Sequence, residues 1–239
     1  MNILAFIRTL ISKFLLVVIF ILFAPGIMIA AAIPKKWLFN SRIFFMFGDL
    51  LLWFILKASF LPVKVFGLEN VTKEPSVFVA NHQSRLDMSL VNEVVKSRPH
   101  IWMATADIKR MPVYRWLTNF LVLVDVETPM KAMRSLLEAI KLLNGSKLDL
   151  VIFPEGAIYN DGVLHDFFSG FAVVAKKTGR PVVPICIQGV EKAYPLKTFL
   201  VTRVPITVTV GKPFVYQEHD TEEVFKERVR AWFIETLKA

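Results

Sequence analysis

Between Phe14 and Ile33 the chain carries no charged side chain, and a second apolar run, Ile43 to Leu56, is broken only by Gly48 and Asp49. A run of this kind constrains the fold more than any other feature, because so much apolar surface must find either a deep core or lipid. The first run is long enough to cross a hydrocarbon layer, at about 1.5 Å of helix per residue, whereas the second would reach only about 21 Å. Hydrophobic residues make up 54% of the 239, above the usual share for a soluble domain.

The charge has the same bias. Residues 1–64 hold Arg8, Lys13, Lys35, Lys36, Arg42, Lys57 and Lys64 against Asp49 alone, so seven minus one, or six, of the net +9 flanks the apolar runs. Basic residues beside hydrophobic segments suit anionic lipid headgroups, each worth about 1 kcal/mol near such a surface. Nucleic acid is the competing partner for a basic chain, but no recognition-helix, zinc-finger or RNP-like pattern accompanies the charge, and none is expected to bind. A cleaved secretory signal fits poorly, since the first run exceeds a signal's apolar region and a second follows at once.

If both runs crossed a bilayer, Lys35, Lys36 and Arg42 would lie outside, against the bias that keeps basic loops cytoplasmic. Pro25 and Gly26 are expected to interrupt the first run. Residues 1–60 are therefore expected to form a helical hairpin sunk into one leaflet, a monotopic anchor with its basic clusters on the cytoplasmic face. The single cysteine, Cys186, rules out an internal disulfide and fits a reducing compartment.

After Pro62 the pattern changes to short β-rich runs alternating with helical ones. Strands are expected at Val63 to Phe66, Ser76 to Ala80, Ile101 to Thr105, Leu121 to Val126, Leu150 to Phe153, Val182 to Ile187 and Ile206 to Val210. Helices are expected at Met88 to Lys96, Pro112 to Asn119, Pro129 to Leu143, Phe168 to Lys177 and Glu222 to Lys238. Thr128 before Pro129 reads as an N-cap with Gly145 as the stop, Asp220 and Glu223 as a capping pair for the last helix, and Val224, Val229, Trp232 and Leu237 as its apolar stripe. Several strands are apolar on both faces. The fold class is thus α/β, a mixed, largely parallel sheet covered by helices and preceded by the membrane-embedded hairpin.

At the end of the second strand stands "NHQSRLD", residues 81–87. In one continuous helix, positions five apart lie about 140° around the axis, so His82 must sit in the turn for Asp87 to reach it. Asp87 could then hold one ring nitrogen and leave the other as a base. No G-x-S-x-G elbow, P-loop, H-E-x-x-H or Cys/His cluster is present, and no metal or cofactor is expected. The base is expected to act on a hydroxyl of the substrate.

"NHQSRLD" resembles the N-H-x-x-x-x-D motif of the phospholipid/glycerol acyltransferase family, which includes the 1-acylglycerol-3-phosphate acyltransferases. "VIFPEG", Val151 to Gly156, resembles its F-P-E-G motif, and "VVPICIQG", Val182 to Gly189, its late V-P-I motif. Three motifs in order, over about residues 60–215, make the resemblance specific. It implies that His82 deprotonates an acceptor hydroxyl, that Asp87 orients His82, and that the oxygen attacks the thioester of acyl-CoA or acyl-carrier protein. Asn81 would donate a supporting hydrogen bond, and Glu155 with Gly156 would hold the glycerol hydroxyl.

Two departures bear on the acceptor. The family continues F-P-E-G with Thr-Arg, whose arginine grips the acceptor phosphate, but here Ala157 and Ile158 follow. The family's second motif aligns loosely with "ATADIKRMPVYR", leaving Arg85, Lys109, Arg110 and Arg115 as alternative sources of positive charge. The resemblance therefore implies a membrane enzyme with residues 61–239 as the acyltransferase domain. It would acylate a lysophospholipid, foremost 1-acylglycerol-3-phosphate; the rivals are another lysolipid or acylated amino acid as acceptor, or a lipid-binding protein without catalysis. Cys186, Phe167, Phe168 and Phe171 are assigned to core packing, and the aromatic stretch Trp37 to Phe60 to lipid or hairpin contacts.

Overall fold

A computed structural model describes residues 3–105, 121–124, 128–196 and 198–238. Among these residues seven strands form one sheet: β1 (Val63–Phe66), β2 (Val77–Ala80), β3 (His100–Thr105), β4 (Leu121–Val124), β5 (Asp149–Ile152), β6 (Val182–Gln188) and β7 (Ile206–Val210). Their spatial order is β1-β7-β6-β2-β5-β3-β4, every pairing parallel except β6 with β7. Both faces are covered, which is why β2 and β5 are buried at all four positions each and read as unbroken apolar runs.

Alternate residues point to opposite layers. Val77, Val79, Ile101, Leu150 and Cys186 pack into one core with α5 (Pro129–Leu143), α6 (Gly170–Thr178) and α8 (Glu222–Lys238). Phe78, Ala80, Trp102, Val151 and Ile185 pack into the other with α4 (Asp87–Val95) and the short α7 (Val190–Ala193). Burial pushes the Cys186 thiol up to about 12, as a core cysteine requires.

The N-terminal region consists of α1 (Ile3–Ala32), the single turn α2 (Lys35–Leu38) and α3 (Arg42–Ala58), the last capped by Ser41 Oγ, which accepts from Phe44 N. Pro25 and Gly26 do not interrupt α1, contrary to expectation. One lost backbone hydrogen bond is offset by packing of α1 on α3, where Phe23 and Phe47 lie 5.0 Å apart. Gly26 is what lets the Phe47 ring approach, since a Cβ there would stand 2.5 Å from it. Much of the outer surface is bare of protein, with Phe14, Ile21, Leu22, Ile29, Ile43 and Met46 all exposed. By length and composition α1 could cross a membrane, a feature that suggests membrane association.

Three expectations about packing need correction. Thr221, not Asp220, caps α8 through Val224 N; the Asp220 carboxylate accepts instead from Gln217 N and Arg228. The buried stripe of α8 is Phe225, Val229 and Phe233, while Val224 is 56% exposed. Phe167 and Phe171 are buried, but Phe168 is 69% exposed because it lies over Gly156 in the F-P-E-G turn. The expected helix at 112–119 lies outside the described residues.

Candidate active site

The parallel strands β2 and β5 end side by side, and the two motifs leave the sheet there. "NHQSR" forms the turn after β2, and Asp87 opens α4, where a carboxylate complements the exposed N–H groups of a helix start. Asp87 is fully buried. Its Oδ2 lies 2.8 Å from His82 Nδ1 and accepts from Gln83 N at 2.6 Å and Ser84 N at 2.7 Å. With two backbone donors already directed at this oxygen, it is an acceptor toward His82 too, so Nδ1 carries the proton and Nε2 the lone pair.

Burial pushes the Asp87 carboxyl above its ordinary range, against the pull of His82 and the two amides. Its Oδ1 is buried with no hydrogen-bond partner among the described residues. The His82 ring stacks on Phe153 at 4.0 Å and 13°, and Phe153 in turn stacks on Trp102. The imidazole is thus clamped on one face and tied at one nitrogen, 17% exposed, with no hydrogen bond to Nε2 among the described residues. That combination is what a general base needs: fixed orientation, the right tautomer and a free lone pair.

Glu155 is placed differently from expectation. Its carboxylate is 1% exposed and wholly engaged by backbone, Oε1 accepting from His82 N at 2.7 Å and Oε2 from His165 N at 2.9 Å. Burial raises its pKa, against the opposing pull of those two amides. A carboxylate so employed pins the His82 turn to the 156–165 loop rather than facing a glycerol hydroxyl. Gly156 makes this loop possible: its φ is +74°, and a Cβ would stand 2.9 Å from the Phe168 ring.

Asn81 is likewise structural. Its Nδ2 donates to Ile187 O and its Oδ1 accepts from Ile187 N, at 2.8 and 2.7 Å, tying β2 to β6 below the turn instead of supporting a substrate. Arg85 is exposed, with no side-chain partner among the described residues, one residue from the Ser84 amide that holds Asp87. Lys109, Arg110 and Arg115 lie outside the described residues.

Sequence reasoning missed the straps around the turn. Gln83 Nε2 donates to Val163 O and its Oε1 accepts from Gly162 N, while Asn160 Nδ2 donates to Gln83 O and its Oδ1 accepts from Leu196 N. Asn160 has φ +55°, a left-handed conformation that asparagine tolerates; the "NDG" turn signal at 160–162 was its visible trace. Phe153 as the stacking partner of His82 left no trace beyond its place after β5.

A sheet that brings a His-Asp pair and a glycine-turned glutamate loop to the ends of adjacent parallel strands defines an α/β protein with its candidate site where such sheets bind ligands. The model of the family described as Acyltransferase matches residues 62–188, and the chain belongs to that family. It is 28% identical over 200 residues to a 1-acyl-sn-glycerol-3-phosphate acyltransferase of Limnanthes douglasii, covering 80% of this chain and 67% of that one. A protein of the same name from Saccharomyces cerevisiae is 27% identical over 187 residues, 74% of this chain and 60% of the relative. The chain thus spans about two thirds of the length of these curated relatives. Among solved structures, the 1-acyl-sn-glycerophosphate (LPA) acyltransferase PlsC from Thermotoga maritima shares the fold, with a TM-score of 0.72 at 23% identity over 99% of this chain and 97% of that one.

Proposed function

We propose that this protein transfers a fatty acyl group from a thioester donor, acyl-CoA or acyl-carrier protein, to the free hydroxyl of 1-acylglycerol-3-phosphate, giving phosphatidic acid. The observation that carries the reading is the His82–Asp87 pair, which presents an unengaged imidazole nitrogen in a chain whose relatives bear that name. His82 Nε2 takes the hydroxyl proton as the oxygen attacks the thioester carbonyl. The tetrahedral intermediate then collapses, the C–S bond breaks, and the proton passes to the departing thiolate. Asp87 holds the tautomer and favours the imidazolium that forms. General-base help of this kind is worth about 10² to 10⁴ in rate, the rest coming from placing two lipids together.

No cofactor enters this scheme. α1 and α3 seat the enzyme on the cytoplasmic face of a membrane as a monotopic anchor, so that acceptor and product never draw their tails through water. Ala157 and Ile158, in place of the expected Thr-Arg, favour a second reading in which the acceptor is another lysolipid or an acylated amino acid. Incubating the purified enzyme with labelled acyl-CoA or acyl-carrier protein and a panel of acceptors separates the two. Turnover of lysophosphatidate above all others is expected; no transfer to it, with transfer to another acceptor, would sink the first reading.

A further inference from the structure

A groove of about 470 Å³ lies where the first turns of α1 meet Phe60 and Arg203, away from the catalytic turn, with which it shares no residue. Its apolar lining comes from Leu4, Ile7, Ile11 and Phe60, which are 76, 47, 46 and 44% exposed. Among the described residues its charged lining is Arg8 and Arg203, with no carboxylate between them. Neither arginine has an acidic partner among the described residues. Arg8 donates through Nη2 to Val201 O at 2.7 Å, while its Nε is buried without an acceptor among the described residues.

Two guanidinium groups lining one groove with a strip of aliphatic side chains, the strip on a helix of membrane-spanning length, match one kind of ligand. The planar fork of arginine pairs with phosphate oxygens, and Leu4, Ile7 and Ile11, three and four apart, form a continuous apolar track along α1. We propose that this groove holds one anionic membrane phospholipid, its phosphate between Arg8 and Arg203 and an acyl chain along Leu4, Ile7 and Ile11. The lipid is a resident, not an acceptor of the reaction: a fully acylated glycerophospholipid has no free hydroxyl at the positions the enzyme would acylate. Thr9 Oγ1 accepts from Val201 N beside the Arg8 contact, so one wall of the groove is fixed where the start of α1 meets the segment before β7.

The test uses the full chain in an uncharged detergent, titrated with phosphatidylglycerol, phosphatidylcholine or inorganic phosphate, with adducts counted by native mass spectrometry. The expected result is one phosphatidylglycerol per chain, retained in preference to phosphatidylcholine and not displaced by inorganic phosphate. Arg203→Gln, at an exposed position, should weaken retention about fivefold, the worth of one basic residue at an anionic lipid surface. Ile7→Trp should abolish it by filling the track without changing charge. Lys36→Gln, an equally basic site outside the groove, should leave it unchanged. Equal uptake of phosphatidylcholine, displacement by inorganic phosphate, retention unchanged in both groove variants, or an equal loss in Lys36→Gln would each overturn the proposal.

Discussion

At opposite ends of the same sheet sit two aspartates that the solvent barely reaches, and they are used in opposite ways. Asp149 opens β5 and is 1% exposed. Its Oδ1 accepts from Ser76 N and Arg98 Nη2, and its Oδ2 from Arg98 Nε at 2.6 Å. Both oxygens are satisfied by a forked, permanently charged partner, which also reaches the carbonyls of Thr72 and Glu74. Asp87, at the other end, faces a histidine, loads three donors on one oxygen and leaves the other with no partner among the described residues. A carboxylate locked to arginine stiffens a corner of the fold. A carboxylate tied to an imidazole can serve a partner whose protonation changes during turnover.

The contrast can be broken most sharply at the histidine. His82→Ala is expected to cut acyl transfer by about 10² to 10⁴ while leaving the thermal midpoint within a few degrees of the parent, measured by steady-state assay and calorimetry. Retained turnover in a well-folded His82→Ala would remove the functional half of the comparison. Arg98→Ala should do the reverse. It strands the Asp149 carboxylate in the core, for a loss of about 3 kcal/mol in denaturant unfolding, with the activity of the folded fraction kept. A variant that lost turnover without losing stability would show that the two ends are not separable.

Glu155 sharpens the comparison from between the two cases, being buried like Asp149 yet bonded to the His82 turn. Glu155→Gln sets an amide N–H₂ against a backbone N–H, at a cost of about 1–3 kcal/mol, and lowers kcat by loosening His82. The sign of its pH effect follows from the raised pKa. Between the unfolded value near 4.5 and the higher folded one, the native state binds more protons, so stability falls as pH rises through that window. The variant should flatten that part of the profile, and an unchanged slope in the unfolding midpoint against pH would locate the titration elsewhere. Least affected is Cys186: with its thiol pushed to about 12 in β6, it should resist alkylation near neutral pH in the native protein and react once denatured.

Much of this architecture could be read from the residues. Strands β1 and β7 and helices α5 and α8 begin and end where the pattern predicts, since "VKVF" and "ITVTV" alternate between more and less buried positions with the period of a strand and Thr128 and Gly145 bracket α5. The pairing of His82 with Asp87 was legible from a spacing that only a turn could reconcile. Glu155 and Asn81 were found as residues but not as what they do, because a side chain's partner across a sheet is set by strand order. Nothing in "FPEG" says that β5 lies beside β2, nor in "NHQSRLD" that β6 lies on the other side. Gln83 and Asn160 escaped for the same reason, and Phe168 was misplaced because the shape of a glycine turn decides whether a ring lands inside or out.

Local chemistry along the chain determined which segments would be strand, amphipathic helix or wholly apolar helix, and which imidazole would meet which carboxylate, because those relations run over a few neighbouring residues and depend on period and spacing. The tertiary structure alone decided that a glutamate seventy-odd positions away would hold the histidine's backbone, and that two arginines from opposite ends of the chain would share one groove. Contacts between distant segments depend on how strands are ordered and helices docked, and that order is an outcome of packing the whole core at once.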